Sequence, residues 1–145
     1  METEKLQHQK DLNGCGIACL ANLLNQPYDK IKQDFETKFY TIERGVKIFD
    51  IVNYLKTRKL NYKSKFFNQN KKYKFDKEEA DKFSKILGSI TLIVKSKKYP
   101  IGHYLLRTKK GWIDPWYNLP SIDNVHAGMR KELPNNPWYV LYPTN

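Results

Sequence analysis

The apolar residues of this chain change their spacing near Gly88, and this change constrains the fold more than any other feature. Before it, apolar positions recur at helical spacing in four segments, 15–25, 27–39, 46–59 and 76–87, and 62–67 has the pattern of a short strand. After it, the pattern is that of short strands, at 89–95, 102–108, 112–114 and 138–142. Helices followed by strands joined by turns predict an α+β fold, with N-terminal helices packed on a C-terminal antiparallel sheet.

The 145 residues are enough for one domain with a buried core, and 40% of them are hydrophobic. We see no internal repeat and no linker, so we predict a single domain over residues 1–145. No apolar run approaches the roughly 18 residues of a membrane span. The opening Met1 to Lys5 has no cationic segment followed by an apolar stretch, so it is not a secretory signal. We expect a protein that stays in the cytoplasm or is delivered as part of a larger secreted protein.

The two cysteines, Cys15 and Cys19, are too few for a disulfide framework. Four residues apart on a helix, they would strain a bridge, so we expect both to be reduced. Zinc is a poor fit, because the three histidines, His8, His103 and His126, are not spaced as a second half-site. We interpret His8 and His126 as surface residues. The sequence thus predicts no metal and no cofactor.

The net charge of +11 results from 26 Lys and Arg residues against 15 Asp and Glu residues. Such an excess favours encounters with polyanions, whether nucleic acid, an acidic membrane or an acidic protein. Part of it lies in the short runs Lys71–Lys72 and Lys95–Lys98, which also suit an ordinary solvated surface. No zinc-finger or RNA-recognition motif accompanies the charge, so a nucleic-acid partner has no motif to support it.

The segment Asn13-Gly-Cys-Gly-Ile-Ala-Cys places Cys15 between two glycines, at the first turn of an apolar helix. Backbone N–H groups and the positive end of the helix dipole stabilise a thiolate there, and the same groups can hold an oxyanion. We expect the flanking glycines to leave room for a substrate backbone. The alternative is a small buried cysteine in a tight turn. Cys19, one turn later among apolar neighbours, is predicted to pack in the core.

A nucleophilic thiol needs a base, and the base needs an orienting partner. His103 and Asp114 supply both if Lys109-Lys110 forms a two-residue turn. Asp114 is then the diagonal cross-strand neighbour of His103 on the same face, about 7–8 Å away between backbones. A three-residue turn would move Asp114 to the opposite face, and an Asp before Pro115 also suits a simple turn.

These residues occur in an order that resembles a known family. One stretch of the chain resembles the start of the double-glycine leader peptidases. It consists of Gln9, five further residues and then Cys15-Gly16-x-Ala18-Cys19-Leu20. The double-glycine leader peptidases are the cysteine-peptidase domains of bacteriocin-exporting ABC transporters, in the papain-like superfamily. Two later stretches also resemble the family: its histidine strand is similar to Gly102-His103-Tyr104-Leu105, and its Asp-Pro corner to Asp114-Pro115. The similarity spans roughly residues 7–116.

The resemblance implies a papain-like cysteine peptidase fold and a role for each matching residue. Cys15 would be the nucleophile, His103 the base and Asp114 the orienting acid. Gln9 would donate its side-chain amide to the oxyanion, beside the backbone N–H of Cys15. The chain departs from the family in two places: Gly14 stands where the family usually has Asp, and the segment from His103 to Asp114 is shorter.

Three functions fit these residues. The first is a cysteine hydrolase that cleaves a peptide or protein through a thioester acyl-enzyme. The second is a bacterial toxin or effector domain of the same fold (protease, deamidase or acyl transferase), neutralised by an acidic immunity protein that the positive charge would attract. The third is a non-catalytic peptide-binding module, as in transporter-linked relatives that lack the cysteine. Because Cys15, His103 and Gln9 are all present, we expect an enzyme.

Overall fold

A computed structural model describes residues 6–70, 72 and 74–144. The opening residues, where we predicted no signal segment, lie outside this range, as does Lys71 of the basic pair. Within it no helix is both long and apolar enough to cross a bilayer. The elements in chain order are helices α1 (Cys15–Leu24), α2 (Tyr28–Lys38) and α3 (Ile48–Thr57), strand β1 (Tyr62–Phe66), helix α4 (Lys77–Ser84), and strands β2 (Ile90–Ile93), β3 (His103–Thr108), β4 (Gly111–Asp114), β5 (Gly128–Arg130) and β6 (Pro137–Pro143).

The strands form a six-stranded sheet in the order β1-β6-β2-β3-β4-β5, and every neighbouring pair is antiparallel. Helix α1 packs on β3, α3 packs on β1, and α4 packs on β6. The predicted α+β fold, with helices on an antiparallel sheet, is confirmed. Because β6 inserts between β1 and β2, the C-terminal strand joins the early strand to the later ones.

Helix α1 is the central helix, as its apolar sequence predicts. Its residues from Ile17 to Ala21 are all fully buried, Cys19 among them, so the predicted core role of Cys19 is confirmed. Asn25 ends the helix in the left-handed conformation that a C-terminal cap requires. A helix that is apolar over most of its circumference has no face to offer to water, and it therefore lies between the sheet and α2.

Helix α4 begins where the sequence predicts, directly after Asp76, and half of a capping box forms there. The side chain of Asp76 accepts a hydrogen bond from the backbone N–H of Glu79 at 3.0 Å. The Glu79 carboxylate does not complete the pattern, since it pairs with Lys65 at 2.9 Å instead. That ion pair connects the helix to β1.

The β3–β4 hairpin has the predicted two-residue turn. Thr108 pairs with Gly111, and Leu106 pairs with Ile113. This register puts the side chains of His103 and Asp114 on the same face of the sheet. The alternative three-residue turn is thereby excluded.

The stretch from Asn118 to Asn136, which has no clear sequence pattern, contains an additional strand. Strand β5 pairs with β4 and covers the edge of the hairpin, with Met129 opposite Ile113. A Cβ atom on Gly111, whose φ is +135°, would overlap the carbonyl oxygen of Arg130. Glycine at this position therefore allows β5 to approach β4 closely.

Candidate active site

His103 and Asp114 face each other across the hairpin. The imidazole Nε2 of His103 lies 2.6 Å from Oδ1 of Asp114, and both side chains are buried. Burial alone would lower the pKa of His103, but the Asp114 carboxylate and the Cys15 thiol outweigh it and raise that pKa to about 9. Burial likewise opposes a charge on Asp114, yet its bonds to His103 and Arg130 hold the pKa of its carboxyl below the usual range. The pair therefore favours an imidazolium beside a carboxylate.

Cys15 begins α1 and approaches the same imidazole. Because Nε2 is bonded to Asp114, Nδ1 is the nitrogen left to face the thiol, and the interaction with Cys15 helps to raise the pKa of His103. Gly14 at the N-cap makes no side-chain capping bond, so the first-turn N–H groups of α1 have no side-chain acceptor from the N-cap residue. Cys19 differs in environment, since complete burial raises the pKa of its thiol.

The two glycines beside Cys15 have a packing role that we did not predict. A Cβ atom on Gly14 would overlap the hydroxyl group of Tyr28, and a Cβ atom on Gly16 would lie 3.3 Å from Cβ of Val46 and 3.4 Å from the Tyr104 ring. The space next to both glycines is thus filled by the protein itself, and the expectation that they leave room for a substrate backbone is wrong. They allow α1 to pack closely against its neighbours.

Gln9 lies in the same site, but its amide group already has partners. Its Nε2 donates to the backbone carbonyl oxygens of Asp11 at 3.0 Å and Leu12 at 2.8 Å. Its Oε1 is buried and has no hydrogen-bond partner among the described residues. Both amide hydrogens are therefore committed to the loop that precedes Cys15, although the side chain lines the same cleft as Cys15 and His103.

Three residues around His103 were not found from the sequence. The ring of Tyr99 stacks on the imidazole, with centroids 4.6 Å apart and an angle of 12° between the planes. Trp116 donates its backbone N–H to Oδ1 of Asp114 at 3.0 Å, and Arg130 donates Nε to Oδ2 at 2.6 Å. The sequence signal for Trp116 is the turn at Asp114-Pro115, because an Asp side chain in a turn accepts from the backbone N–H two residues later. The sequence holds no comparable signal for β5, which carries Arg130.

Two clefts meet at Cys15. The first, which we call the α3 cleft, has a volume of about 310 Å³ and runs along the start of α3 toward Trp138 and Tyr139. The second, the Trp116 cleft, has a volume of about 210 Å³. His103 lines the Trp116 cleft together with an apolar wall formed by Leu12, Tyr99, Pro100, Ile101, Trp116 and Leu119.

The residues that the structure describes include no group of three or more His, Cys, Asp or Glu side chains placed to hold a metal ion. What they bring together is the thiol of Cys15, the imidazole of His103 and the carboxylate of Asp114.

Comparison with known proteins gives matches at the level of structure. No protein-family model and no curated protein sequence matches the chain. Among solved structures, the peptidase domain of Streptococcus ComA, a bi-functional ABC transporter involved in a quorum sensing pathway, matches with 18% identity, a TM-score of 0.60, and coverage of 97% of this chain and 98% of that chain. The peptidase domain of Streptococcus mutans ComA matches with 19% identity, a TM-score of 0.54, and coverage of 98% and 100%.

A third solved structure is a double glycine motif protease from an AMS/PCAT transporter in complex with the leader peptide. It has 17% identity and a TM-score of 0.50, and the match covers 99% of this chain and 89% of that chain. The chain therefore has the fold of these peptidase domains over almost its whole length. This agrees with the family that the Gln9, Cys15 and His103 motifs resemble.

Proposed function

We propose that this protein is a cysteine peptidase in which Cys15 is the nucleophile, His103 the general base and acid, and Asp114 the residue that orients His103. The observation that carries the proposal is the position of the imidazole. Its Nε2 is held by Asp114 at 2.6 Å, while Cys15 lines the same cleft as the ring and helps to raise the pKa of His103. A thiol, a base and an orienting group gathered in one site form the arrangement that thiol catalysis requires.

The reaction proceeds in two steps. The sulfur of Cys15 attacks the peptide carbonyl carbon, a C–S bond forms, and the carbonyl oxygen becomes an oxyanion. His103 then donates its proton to the amide nitrogen, the C–N bond breaks, and a thioester remains on Cys15. In the second step His103 takes a proton from water, the resulting hydroxide attacks the thioester, and the acid product leaves the sulfur.

The oxyanion would be stabilised by the backbone N–H of Cys15 and by the side-chain amide of Gln9. Since Nε2 of Gln9 is bonded to two backbone carbonyls, one of these bonds has to be exchanged for the oxyanion. Loss of the bond to Asp11, the longer of the two, leaves the bond to Leu12 to hold the amide in place.

The position of His103 also suggests how a substrate lies across the site. The general acid must reach the nitrogen of the leaving amine. His103 lines the Trp116 cleft and is not among the residues of the α3 cleft. We therefore assign the amine half of the substrate to the Trp116 cleft and the acyl half to the α3 cleft, with Cys15 between them.

The substrate that we propose is a peptide cleaved after two glycines. Support comes from the double glycine motif protease of similar fold, which was solved with its leader peptide. The α3 cleft has partly exposed apolar side chains along it, Phe49 at 64% and Ile101 at 49%, which suit the apolar residues of a peptide.

The test is hydrolysis of a set of peptides that contain Gly-Gly, with Ala-Ala peptides as the matched comparison. We expect cleavage after Gly-Gly by the wild type and by Cys19→Ala, and none by Cys15→Ala or His103→Asn. Equal cleavage by Cys15→Ala would contradict the proposal.

A second candidate is a toxin or effector peptidase of the same chemistry that an acidic protein neutralises. It is favoured by the basic residues along both clefts, Arg44 and Lys47 in the α3 cleft and Lys98 in the Trp116 cleft. An acidic inhibitor would be attracted to these positions. Growth arrest on expression in bacterial cytoplasm, relieved by Cys15→Ala, would support this candidate, and normal growth at high expression would argue against it.

A further inference from the structure

The carboxylate of Asp114 has a partner that the proposed mechanism leaves without a role. Oδ1 accepts hydrogen bonds from Nε2 of His103 and from the backbone N–H of Trp116, whereas Oδ2 accepts from Nε of Arg130 at 2.6 Å. Each oxygen thus has its own partners. Rotation of the carboxylate would break the bonds on both sides at once, so the bond to Arg130 fixes the orientation in which Oδ1 meets His103.

Arg130 is itself held in place. Its guanidinium carbon lies 4.5 Å from the centroid of the Tyr117 ring, and one of its terminal nitrogens donates to the Tyr117 carbonyl oxygen at 3.3 Å. Its backbone pairs with Trp112 in the sheet. With 22% of its side chain exposed, the guanidinium is positioned before any substrate binds. A group held in advance does not lose freedom when the reaction begins.

Charge gives Arg130 a second effect. A thiolate on Cys15, an imidazolium on His103 and the Asp114 carboxylate sum to one negative charge in a buried site, and Arg130 balances it. The other titratable groups near these side chains have pKa values that burial raises, so they remain uncharged near neutral pH: Tyr99 beside His103, and Cys19 and Tyr104 near Cys15. The ammonium group of Lys98 lies 5.7 Å from the centre of the Tyr99 ring, on the Trp116 cleft.

We propose that Arg130 is a positioning residue of the active site, which fixes the Asp114 carboxylate toward His103 and balances the one negative charge that Cys15, His103 and Asp114 carry together. Its effect on turnover rests on the proposed peptidase function. Its effect on the thiol of Cys15 does not, because alkylation requires no substrate.

The experiment measures alkylation of Cys15 by iodoacetamide between pH 5 and 10, with the labelled cysteine identified by peptide mass spectrometry. The variants are Arg130→Met, which removes the charge, and Arg130→Lys, which keeps it. The matched control is Arg58→Met, since Arg58 also pairs with a carboxylate, that of Asp34 at 3.4 Å, away from the site. Thermal unfolding of each variant separates loss of fold from loss of function.

Loss of the Arg130 charge leaves the negative charge on Asp114 unbalanced, which disfavours a further negative charge in the same site. In Arg130→Met we expect the midpoint of alkylation to move upward by about half a pH unit or more, and in Arg130→Lys by less than half of that shift. Arg58→Met should keep the wild-type profile even if it unfolds at a lower temperature. With a cleaved peptide, kcat should fall by about tenfold in Arg130→Met while KM changes little.

An alkylation profile of Arg130→Met that matches the wild type would overturn the proposal, as would equal shifts in Arg130→Met and Arg58→Met. Failure of the peptidase function has a different signature. In that case no peptide is cleaved by the wild type, while the alkylation profiles still report whether Arg130 acts on the site.

Discussion

The hydroxyl group of Tyr28 occupies the position that a Cβ atom on Gly14 would take. That hydroxyl donates to Oδ2 of Asp11 at 2.8 Å, and Lys32 pairs with Oδ1 of the same carboxylate at 3.1 Å. The residue before Cys15 is therefore glycine for a packing reason. An acidic side chain is still present in this segment, but it lies three residues earlier and bonds to α2.

This contact predicts the effect of a substitution at position 14. We expect Gly14→Ala to lower the free energy of unfolding by about 2 kcal/mol, because the new methyl group overlaps the Tyr28 hydroxyl. Tyr28→Phe removes that hydroxyl, so the double variant should lose less than the sum of the two single variants. Urea denaturation of the four proteins tests the coupling, and strictly additive losses would show that the two groups do not meet.

Replacement of Asp114 tests the orienting role of the carboxylate. Asp114→Asn keeps the shape but removes the charge that His103 and Arg130 contact. We expect kcat to fall at least about tenfold, because the imidazole loses both its orientation and the charge that stabilises its protonated form. We also expect a loss of about 2 kcal/mol in the free energy of unfolding, since Arg130 is partly exposed and water replaces part of its bond.

Asp34→Asn is the matched control for that variant. It also removes a carboxylate that bonds to an arginine, Arg58, and to a tyrosine, Tyr54, but it lies away from the candidate site. If Asp34→Asn lowers kcat as much as Asp114→Asn does, the orienting role of Asp114 is wrong.

The raised pKa of His103 predicts how stability depends on pH. In the folded protein this pKa is about 9, above the usual value of 6.5, so the folded state binds the proton more tightly than the unfolded state does. The stabilisation is complete below about pH 6.5 and is lost as the pH rises toward 9. We therefore expect the free energy of unfolding to decrease between pH 6.5 and 8.5 in the wild type.

His103→Asn should lack this decrease, and the difference between the two proteins is the quantity to measure. Groups that do not interact with His103 contribute equally to both proteins and cancel. A difference in unfolding free energy that stays constant from pH 6 to 8.5 would show that His103 does not bind its proton more tightly in the folded state.

The assignment of the Trp116 cleft predicts a preference at the residue that follows the cleaved bond. The cleft has apolar walls from Leu12, Trp116 and Leu119, and its volume of about 210 Å³ suits one large side chain. Peptides with Leu or Phe at this position should have kcat/KM values about tenfold above those with Asp or Gly. The variant Leu119→Ala should reduce the preference without changing cleavage of the Gly peptide. Indifference to this residue would show that the amine half lies elsewhere.

The local parts of the fold could be predicted because each depends on neighbouring residues. The apolar spacing of α1, the capping of α4 by Asp76 and the two-residue turn after Thr108 are set by a few adjacent side chains. The hairpin register followed from that turn, and it placed His103 and Asp114 on one face.

The parts that escaped prediction are contacts between residues far apart in the chain and the conformation of the loop before α1. Strand β5 has three residues and no alternating pattern, and it forms because Gly111 lets it approach β4. Arg130 reaches Asp114 only through that pairing. The bonds of Gln9 to Asp11 and Leu12 depend on how the loop before α1 is folded, which the spacing of Gln9 and Cys15 does not specify. The single-domain boundary at 1–145 stays a prediction.

The most direct test of the account compares two thiols in one protein. Iodoacetamide at pH 6 should alkylate Cys15 at least about a hundredfold faster than Cys19, because Cys15 lies beside the His103 imidazole at the start of α1, whereas burial raises the pKa of the Cys19 thiol. In His103→Asn the reaction of Cys15 at pH 6 should drop to a level close to that of Cys19. Equal, slow labelling of both cysteines in the wild type, or fast labelling of Cys15 that survives the loss of His103, would contradict the thiolate–imidazolium pair.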